Sequence, residues 1–272
     1  MKLVSVVVQA YNSADTICQT LDSIKAQTYK NIELIVSDDK SRDNTIDVVK
    51  QWMRENEGML TSMRLITTEK NTGIPGNNNR ALKAVNGEYV EFLAADDYMV
   101  PEAVEEYVLF CENNPGFVPI SKVKLFSDDE CDFTSVKRYC EDCYLFAQLN
   151  AKEQYRRLLI QNRIVAPAAS FYPIEVMNRT GGFDEAYRCF EDYPMNLKIM
   201  KNGYGFGYID KELIGYRISS KSITGSDLTP VKKDETKLFF REKFWYMFAA
   251  GMGWEAIKQS RYWIKIAFMK GK

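Results

Sequence analysis

The chain has 272 residues, 46% hydrophobic and 27% charged, with a formal net charge of −1. That is the composition of an ordinary globular protein; it offers no basic field for nucleic acid and no run of about 18 uncharged apolar residues for a transmembrane helix. With no histidine anywhere, His-based triads, His metal ligands and His general bases are excluded, leaving carboxylates, Tyr, Lys or Cys for any acid–base chemistry.

Leu3 to Gln9 (LVSVVVQ) is a continuous apolar run, the pattern of a strand buried on both faces. It begins almost at the first residue, with no apolar h-region and no small-residue cleavage site, so no signal peptide is expected. Asn12-Ser13 offers a helix cap, and Ile17, Leu21 and Ile24 recur at helical spacing. A second strand, Ile32 to Ser37, ends in Asp38-Asp39-Lys40-Ser41-Arg42-Asp43-Asn44-Thr45. A helix with Ile46, Val49 and Met53 on one face follows, for which Asp43 is the expected N-cap. Met63 to Thr67 is a third strand. After Asn71-Thr72-Gly73-Ile74-Pro75-Gly76, which has neither a dinucleotide-binding nor a P-loop pattern, a helix runs from about 78 to 85. Tyr89 to Ala94 is the fourth strand, closed by Asp96-Asp97, and Pro101 opens the next helix.

Strands alternating with helices at this spacing predict βαβ units and a mostly parallel sheet. Right-handed crossovers put every strand C-terminus on one edge, where open α/β sheets bind ligands. Tyr11, Asp38, Asp39, Asp96 and Asp97 all fall at such ends. Two carboxylates after an apolar strand suit a hard divalent cation, Mn²⁺ or Mg²⁺, shared with a substrate phosphate. They suit a solvated, helix-capping turn equally well. Adjacent strand residues point to opposite faces, so both acids can serve one ligand only if the chain turns here. Asp38 and Asp39 repeat the device one unit earlier, where a carboxylate can accept from a base N–H or a ribose hydroxyl. Tyr11 either stacks on a base or packs internally.

The second half is less legible. Residues 117–150 read as short strands mixed with polar loops. They hold three of the six cysteines (18, 111, 131, 140, 143 and 189), which are expected to be reduced thiols of a cytosolic protein. Cys140 and Cys143 have knuckle spacing, with Cys131 nearby, but no second CxxC completes a zinc site. Ala151 to Gln161 reads as a helix and Ile164 to Pro173 as a small-residue apolar run. Thr180 to Glu185 is a glycine turn. Phe190-Glu191-Asp192-Tyr193-Pro194 opens a helix in which Asp192 reads as an N-cap and, held ionised at a helix N-terminus, as a general base; the two roles can coexist. Phe206 to Ile209 and Leu213 to Arg217 read as closing strands. From about Pro230 the chain is helical and aromatic with interleaved Lys and Arg. That stretch either packs back on the domain, lies on an anionic membrane or meets a partner, including a second copy.

The ordered set Ala10-Tyr11-Asn12, Ser37-Asp38-Asp39-Lys40-Ser41-x-Asp43-x-Thr45, Asn71-x-Gly73, Asn79, Gly87-Glu88-Tyr89, Phe92-Leu93-x-Ala95-Asp96-Asp97, Gly181-Gly182-Phe183-Asp184-Glu185, Glu191-Asp192-Tyr193 and Tyr216-Arg217 resembles the family 2 glycosyltransferases of the GT-A fold, over residues 3 to about 220. The resemblance implies an α/β fold with a Rossmann-like, mostly parallel central sheet flanked by helices and followed by a helical C-terminal extension. Residues 1–116 would be the nucleotide-sugar half of one domain, 117–229 its acceptor half and 230–272 the extension. It implies an inverting transferase moving a sugar from a nucleoside diphosphate sugar, UDP-sugars first, to a glycan or lipid-linked acceptor in cell-surface polysaccharide synthesis. The enzyme would work in the cytoplasm or at the inner face of the membrane. Tyr11, Asp38 and Asp39 would contact the nucleoside, Asp96 the ribose, Glu191 the nucleotide sugar, and Asp97 a Mn²⁺ or Mg²⁺ ion. Asp192 would be the base. Three positions depart from the family pattern: Ala94 replaces an acid, Asn78 an arginine, and Ser219 the histidine after Tyr-Arg. A nucleotidyltransferase and a catalytically silent sugar-nucleotide-binding subunit are the alternatives.

Overall fold

The computed structural model describes residues 1–128, 134–164, 169–188, 191–218 and 229–268. Its centre is a five-stranded sheet of order β3-β2-β1-β4-β7. Strands β1 (Val4–Ala10), β2 (Ile32–Asp38), β3 (Ser62–Ile66) and β4 (Tyr89–Ala94) are parallel. β7 (Phe171–Pro173) closes the edge antiparallel to β4. β2 is buried along its whole length and β1 almost so, because crossover helices cover both faces of a parallel sheet. Those helices are α1 (Ile17–Lys25), α2 (Thr45–Glu55) and α3 (Gly73–Leu82); α4 (Ala103–Asn113) follows β5 (Tyr98–Met99) and packs on the second sheet.

A second sheet has the order β5-β8-β6. β5 is only Tyr98–Met99, directly after the Asp pair. β6 (Phe117–Phe126) runs parallel to β8 (Gly205–Arg217). The region read as short strands and loops is therefore one ten-residue strand followed by a fourteen-residue helix, α5 (Thr134–Ala147). Likewise the two expected closing strands are one, β8, whose partner β6 shifts register between Ser121 and Val123. A long strand with an irregular middle loses its period-two signal there, which is why the sequence divides it. Cys131 and Cys189 lie outside the described residues. Cys143 is buried on α5.

Helices α6 (Ala151–Ile160), α7 (Ile174–Thr180) and α8 (Asp192–Lys201) complete the second half. The C-terminal stretch forms α9 (Thr229–Leu238), a π-helical turn (Phe239–Lys243), α10 (Phe244–Ala249) and α11 (Gly253–Phe268). Its inner residues Leu238, Phe239, Met247, Met252 and Ala256 belong to the core. Among the described residues no helix is long and apolar enough to cross a membrane.

Candidate active site

The parallel register levels the strand ends. Ala10 pairs with Asp38, and Gln9 pairs with both Ser37 and Ala94. Neighbouring strands lie about 4.8 Å apart, so the ends of β2 and β4 flank β1 across about 10 Å. Tyr11 leaves β1 with 45% of its surface exposed. Asn12 does not cap α1. It takes the left-handed conformation, with φ 52°, and ties two loops together: its N–H donates to Ser41 Oγ and its Oδ1 accepts from Arg42 N–H, both at 2.8 Å.

The acids after β2 serve the fold directly. Asp38 is fully buried and accepts from Ser41 N–H at 2.9 Å and from the Ser41 hydroxyl. Asp39 accepts from Thr72 N–H at 2.9 Å, Gly73 N–H at 2.8 Å, the Thr72 hydroxyl at 2.7 Å and Arg80 at 3.0 Å. It thereby satisfies the first free amides of α3. The helix consequently starts at Gly73, five residues before the sequence pattern places it. A cap supplied by another strand leaves no local signature. Asp43 is not the N-cap residue of α2, which is Asn44; Asp43 stands one residue earlier and accepts from Thr45 N–H at 3.0 Å at the head of that helix.

At the end of β4 the chain does turn: Asp97 N–H donates to Ala94 O at 3.1 Å. Helix α1 holds the turn through Thr16 Oγ1 to Ala95 O at 2.8 Å and Thr20 Oγ1 to Asp97 O at 2.7 Å. Tyr98 then pairs with Gly215. Only glycine fits at 215, because a Cβ there would lie 2.1 Å from the Tyr98 ring. This pairing delivers the end of β8 to the acids. Arg217 N–H donates to Asp97 Oδ1 at 2.8 Å, and Arg217 Nε donates to Asp96 O at 2.9 Å. The Arg217 guanidinium also reaches Gln19 and Asp128 and lies 4.5 Å from the Phe126 ring centre. Burial raises the proton affinity of both acids. The charge of Asp96 raises Asp97 further, and Arg217 opposes the rise at both.

The second acid pair comes from α8. Glu191 is its N-cap residue and Asp192 its first helical residue, so Asp192 is not the cap. Burial and the neighbouring Asp192 push Glu191 up to about 8. Burial raises Asp192 as well, but backbone N–H groups at the helix start and the Asn162 amide hold the rise down. Asn162 Nδ2 donates to Asp192 Oδ2 at 2.7 Å. Of the two adjacent carboxylates, Asp192 is therefore the one whose hydrogen bonds favour the ionised form, and Glu191 the one pushed further toward holding a proton.

Tyr216 lies within electrostatic reach of both pairs. Burial raises its phenol, and the carboxylates of Asp97, Asp96, Asp192 and Glu191 all raise it further. The turn after β4, the end of β8 and the start of α8 are thus close enough for their charges to act on one phenol, while Tyr11, Asp38 and Asp39 stand at the ends of the neighbouring strands β1 and β2. Buried negative charge that exceeds the facing positive charge is the electrostatic condition for a divalent cation. Asp97 supplies a hard carboxylate oxygen. No cluster of three or more Cys, Asp or Glu could hold a metal among the described residues. Any remaining ligands would come from a bound molecule and solvent, the usual arrangement for Mg²⁺.

Two departures have consequences. Asn78 is buried with its Oδ1 unpartnered, and the nearby cation, Arg80, is committed to Asp39, Asn77 and Thr72. Ser219 lies outside the described residues. Asn162 and Gln19 carry no motif; the one hint of Asn162 is its place in a polar Gln-Asn-Arg triplet between a helix and an apolar run.

Residues 5–181 match the family described as glycosyl transferase family 2. The chain belongs to that family. A relative from Escherichia coli, named UDP-Glc:α-D-GlcNAc-diphosphoundecaprenol β-1,3-glucosyltransferase, is 34% identical over 152 residues, covering 52% of this chain and 57% of the relative. The chain spans between 19% and 57% of the length of the first curated relatives it matches. The fold is shared with S. aureus TarS in complex with UDP-GlcNAc, at a TM-score of 0.68 and 21% identity over 87% of this chain and 64% of that one. It is also shared with the mannosyltransferase PcManGT of Pyrobaculum calidifontis in complex with GDP-Man and Mn²⁺. That match has a TM-score of 0.66 and 18% identity over 100% of this chain and 76% of that one. The α/β reading of the sequence, a GT-A fold with a mostly parallel central sheet, holds.

Proposed function

We propose that this family 2 chain transfers a sugar, with inversion, from a nucleoside diphosphate sugar to a hydroxyl of a glycan or lipid-linked glycan. UDP-sugars are the first donors to try. What supports this reading is the pair of differently poised acid sites within electrostatic reach of Tyr216, one held by Arg217 N–H at 2.8 Å from Asp97 Oδ1 and the other by Asn162 Nδ2 at 2.7 Å from Asp192 Oδ2. Asp192 is the base: it removes the acceptor hydroxyl proton as that oxygen bonds to the sugar C1 and the bond from C1 to the diphosphate breaks. Glu191 holds its proton and faces the nucleotide sugar. Tyr11, Asp38 and Asp39 receive the nucleoside, the two aspartates by shaping the loop walls through Ser41 and Thr72. Asp96 lies toward the ribose. Asp97 is the residue that would hold Mn²⁺ or Mg²⁺, which when bound offsets charge on the leaving diphosphate.

The relatives support the substrate classes. The E. coli relative is named for a UDP-glucose donor and a lipid diphosphate acceptor, and TarS was solved with UDP-GlcNAc. Cys18 and Cys111 carry free thiols, consistent with work in the cytoplasm. The deciding experiment incubates the chain with a panel of nucleoside diphosphate sugars and lipid-linked acceptors and identifies the small product. A nucleoside diphosphate is expected. Pyrophosphate would make the chain a nucleotidyltransferase, and no turnover across the panel would make it a binding subunit.

A further inference from the structure

We propose that the outward face of α10 and α11 docks on the surface of an anionic lipid bilayer. Helix α11 advances 100° per residue, so Trp254, Ile257, Tyr262 and Ile264 share one arc of about 160° with Lys258, Arg261 and Lys265. That arc is the solvent side: Trp254 is 72% and Tyr262 58% exposed, and all three cations are exposed. On α10, Trp245 is 64% exposed and Phe248 is exposed beside it. A globular surface rarely leaves so many large aromatic and aliphatic side chains together in water.

The face is held rigidly from behind. Met247, Met252 and Ala256 are core residues, and the rings of Trp263 and Phe239 stack at 6.1 Å. Lys201 Nζ lies 4.0 Å from the Tyr246 ring centre, and Arg156 donates to Ala250 O at 3.0 Å. Lys243 Nζ sits over the ring of Tyr193, the residue after Asp192, at 4.7 Å. The exposed side chains are thus fixed relative to the carboxylates rather than carried on a loose tail.

Charge selects the occupant. Every exposed charge on the described part of α11 is positive; Glu255 is the lone acid and is half-buried. A second copy docking by two-fold symmetry would set these cations against themselves with no acid to pair. A bilayer bearing anionic headgroups offers what the face lacks. Tryptophan and tyrosine settle at the headgroup level, and each Lys or Arg gains from the surface potential. Three such charges together are worth roughly 100-fold in partitioning.

The test uses the full chain and reads vesicle binding without any sugar nucleotide, so it stands or falls apart from the transfer reaction. Wild type is co-sedimented with vesicles of phosphatidylcholine alone and with equal parts phosphatidylglycerol. Trp fluorescence is recorded in parallel. Binding to the mixed vesicles only, with a blue shift, is expected. The triple variant Lys258→Gln, Arg261→Gln, Lys265→Gln should bind roughly 100-fold more weakly, and Trp254→Ser with Tyr262→Ser should bind more weakly and show a smaller blue shift, Trp245 still reporting. Both keep the wild-type melting transition, since these side chains are exposed. Wild type left in the supernatant with mixed vesicles would overturn the proposal, as would equal binding by the triple variant. So would a dimer in equilibrium sedimentation that the Trp254→Ser, Tyr262→Ser variant dissolves.

Discussion

Replacing Asn162 with alanine removes one donor from Asp192 and changes little else, because the same amide makes one other bond, accepted from Ile164 N–H at 3.3 Å. The bond it loses is 2.7 Å long and ends on a half-buried carboxylate. Hydrogen bonds to charged groups contribute about 1.5–3 kcal/mol. That energy favours the ionised form of Asp192, the form a base needs, so its loss shifts Asp192 toward the protonated form. Below the pH at which wild-type activity levels off, kcat/KM should fall by roughly 10- to 150-fold. At high pH, where both proteins are ionised, the rates should converge. The assay is initial rate against pH for wild type, Asn162→Ala and Asn162→Ser, with nucleoside diphosphate release as readout. Serine can restore a donor and should recover part of the loss. A uniform drop at every pH, or no drop at low pH, would refute the idea that Asn162 acts on the ionisation of Asp192.

Glu91 is fully buried on β4, both its oxygens lack a partner, and burial alone raises its proton affinity. A carboxyl raised on folding contributes stability below its unfolded pKa and loses it as pH rises through the folded value. Wild-type stability should therefore decline from about pH 4.3 upward. Glu91→Gln should reduce that slope by as much as about 1.4 kcal/mol per pH unit and raise stability at neutral pH; urea unfolding at several pH values measures both, and an unchanged slope would contradict the burial argument. Asp97→Ala should abolish the effect of Mn²⁺ on nucleoside diphosphate binding by calorimetry while leaving nucleoside binding in place. A wild type that binds the diphosphate equally with and without metal would remove Asp97 from that role.

The sheet was legible in the sequence because β1, β2 and β4 are uniformly apolar and end abruptly in polar residues. The same abruptness marked Tyr11, Asp38, Asp39, Asp96 and Asp97 as sharing one edge. What stayed hidden depends on distant pairing. Asp39 caps α3 from another strand, so the start of that helix at Gly73 has no local cue. β8 is one strand only because β6 supports its irregular middle, and the two halves look separate without that neighbour. The link from Asp96-Asp97 to Tyr216-Arg217 needs the two-residue β5 pairing with β8, too short to carry a pattern. Asn162 was invisible for the same reason, as a single polar residue means nothing until α8 is placed beside it. The acid pair after β4 read equally well as a capping turn and as a ligand site, and its contacts with Thr16, Thr20 and Arg217 show how the fold fixes it in place.

The central claim is that Asp192 moves the acceptor proton. Asp192→Asn keeps the size and most hydrogen bonds of the side chain but cannot take up a proton at neutral pH. Transfer rate and donor affinity should be measured on the same preparation of this variant. Transfer should fall by roughly 100- to 10,000-fold with nucleoside diphosphate sugar binding nearly intact. Turnover near the wild-type rate would contradict it.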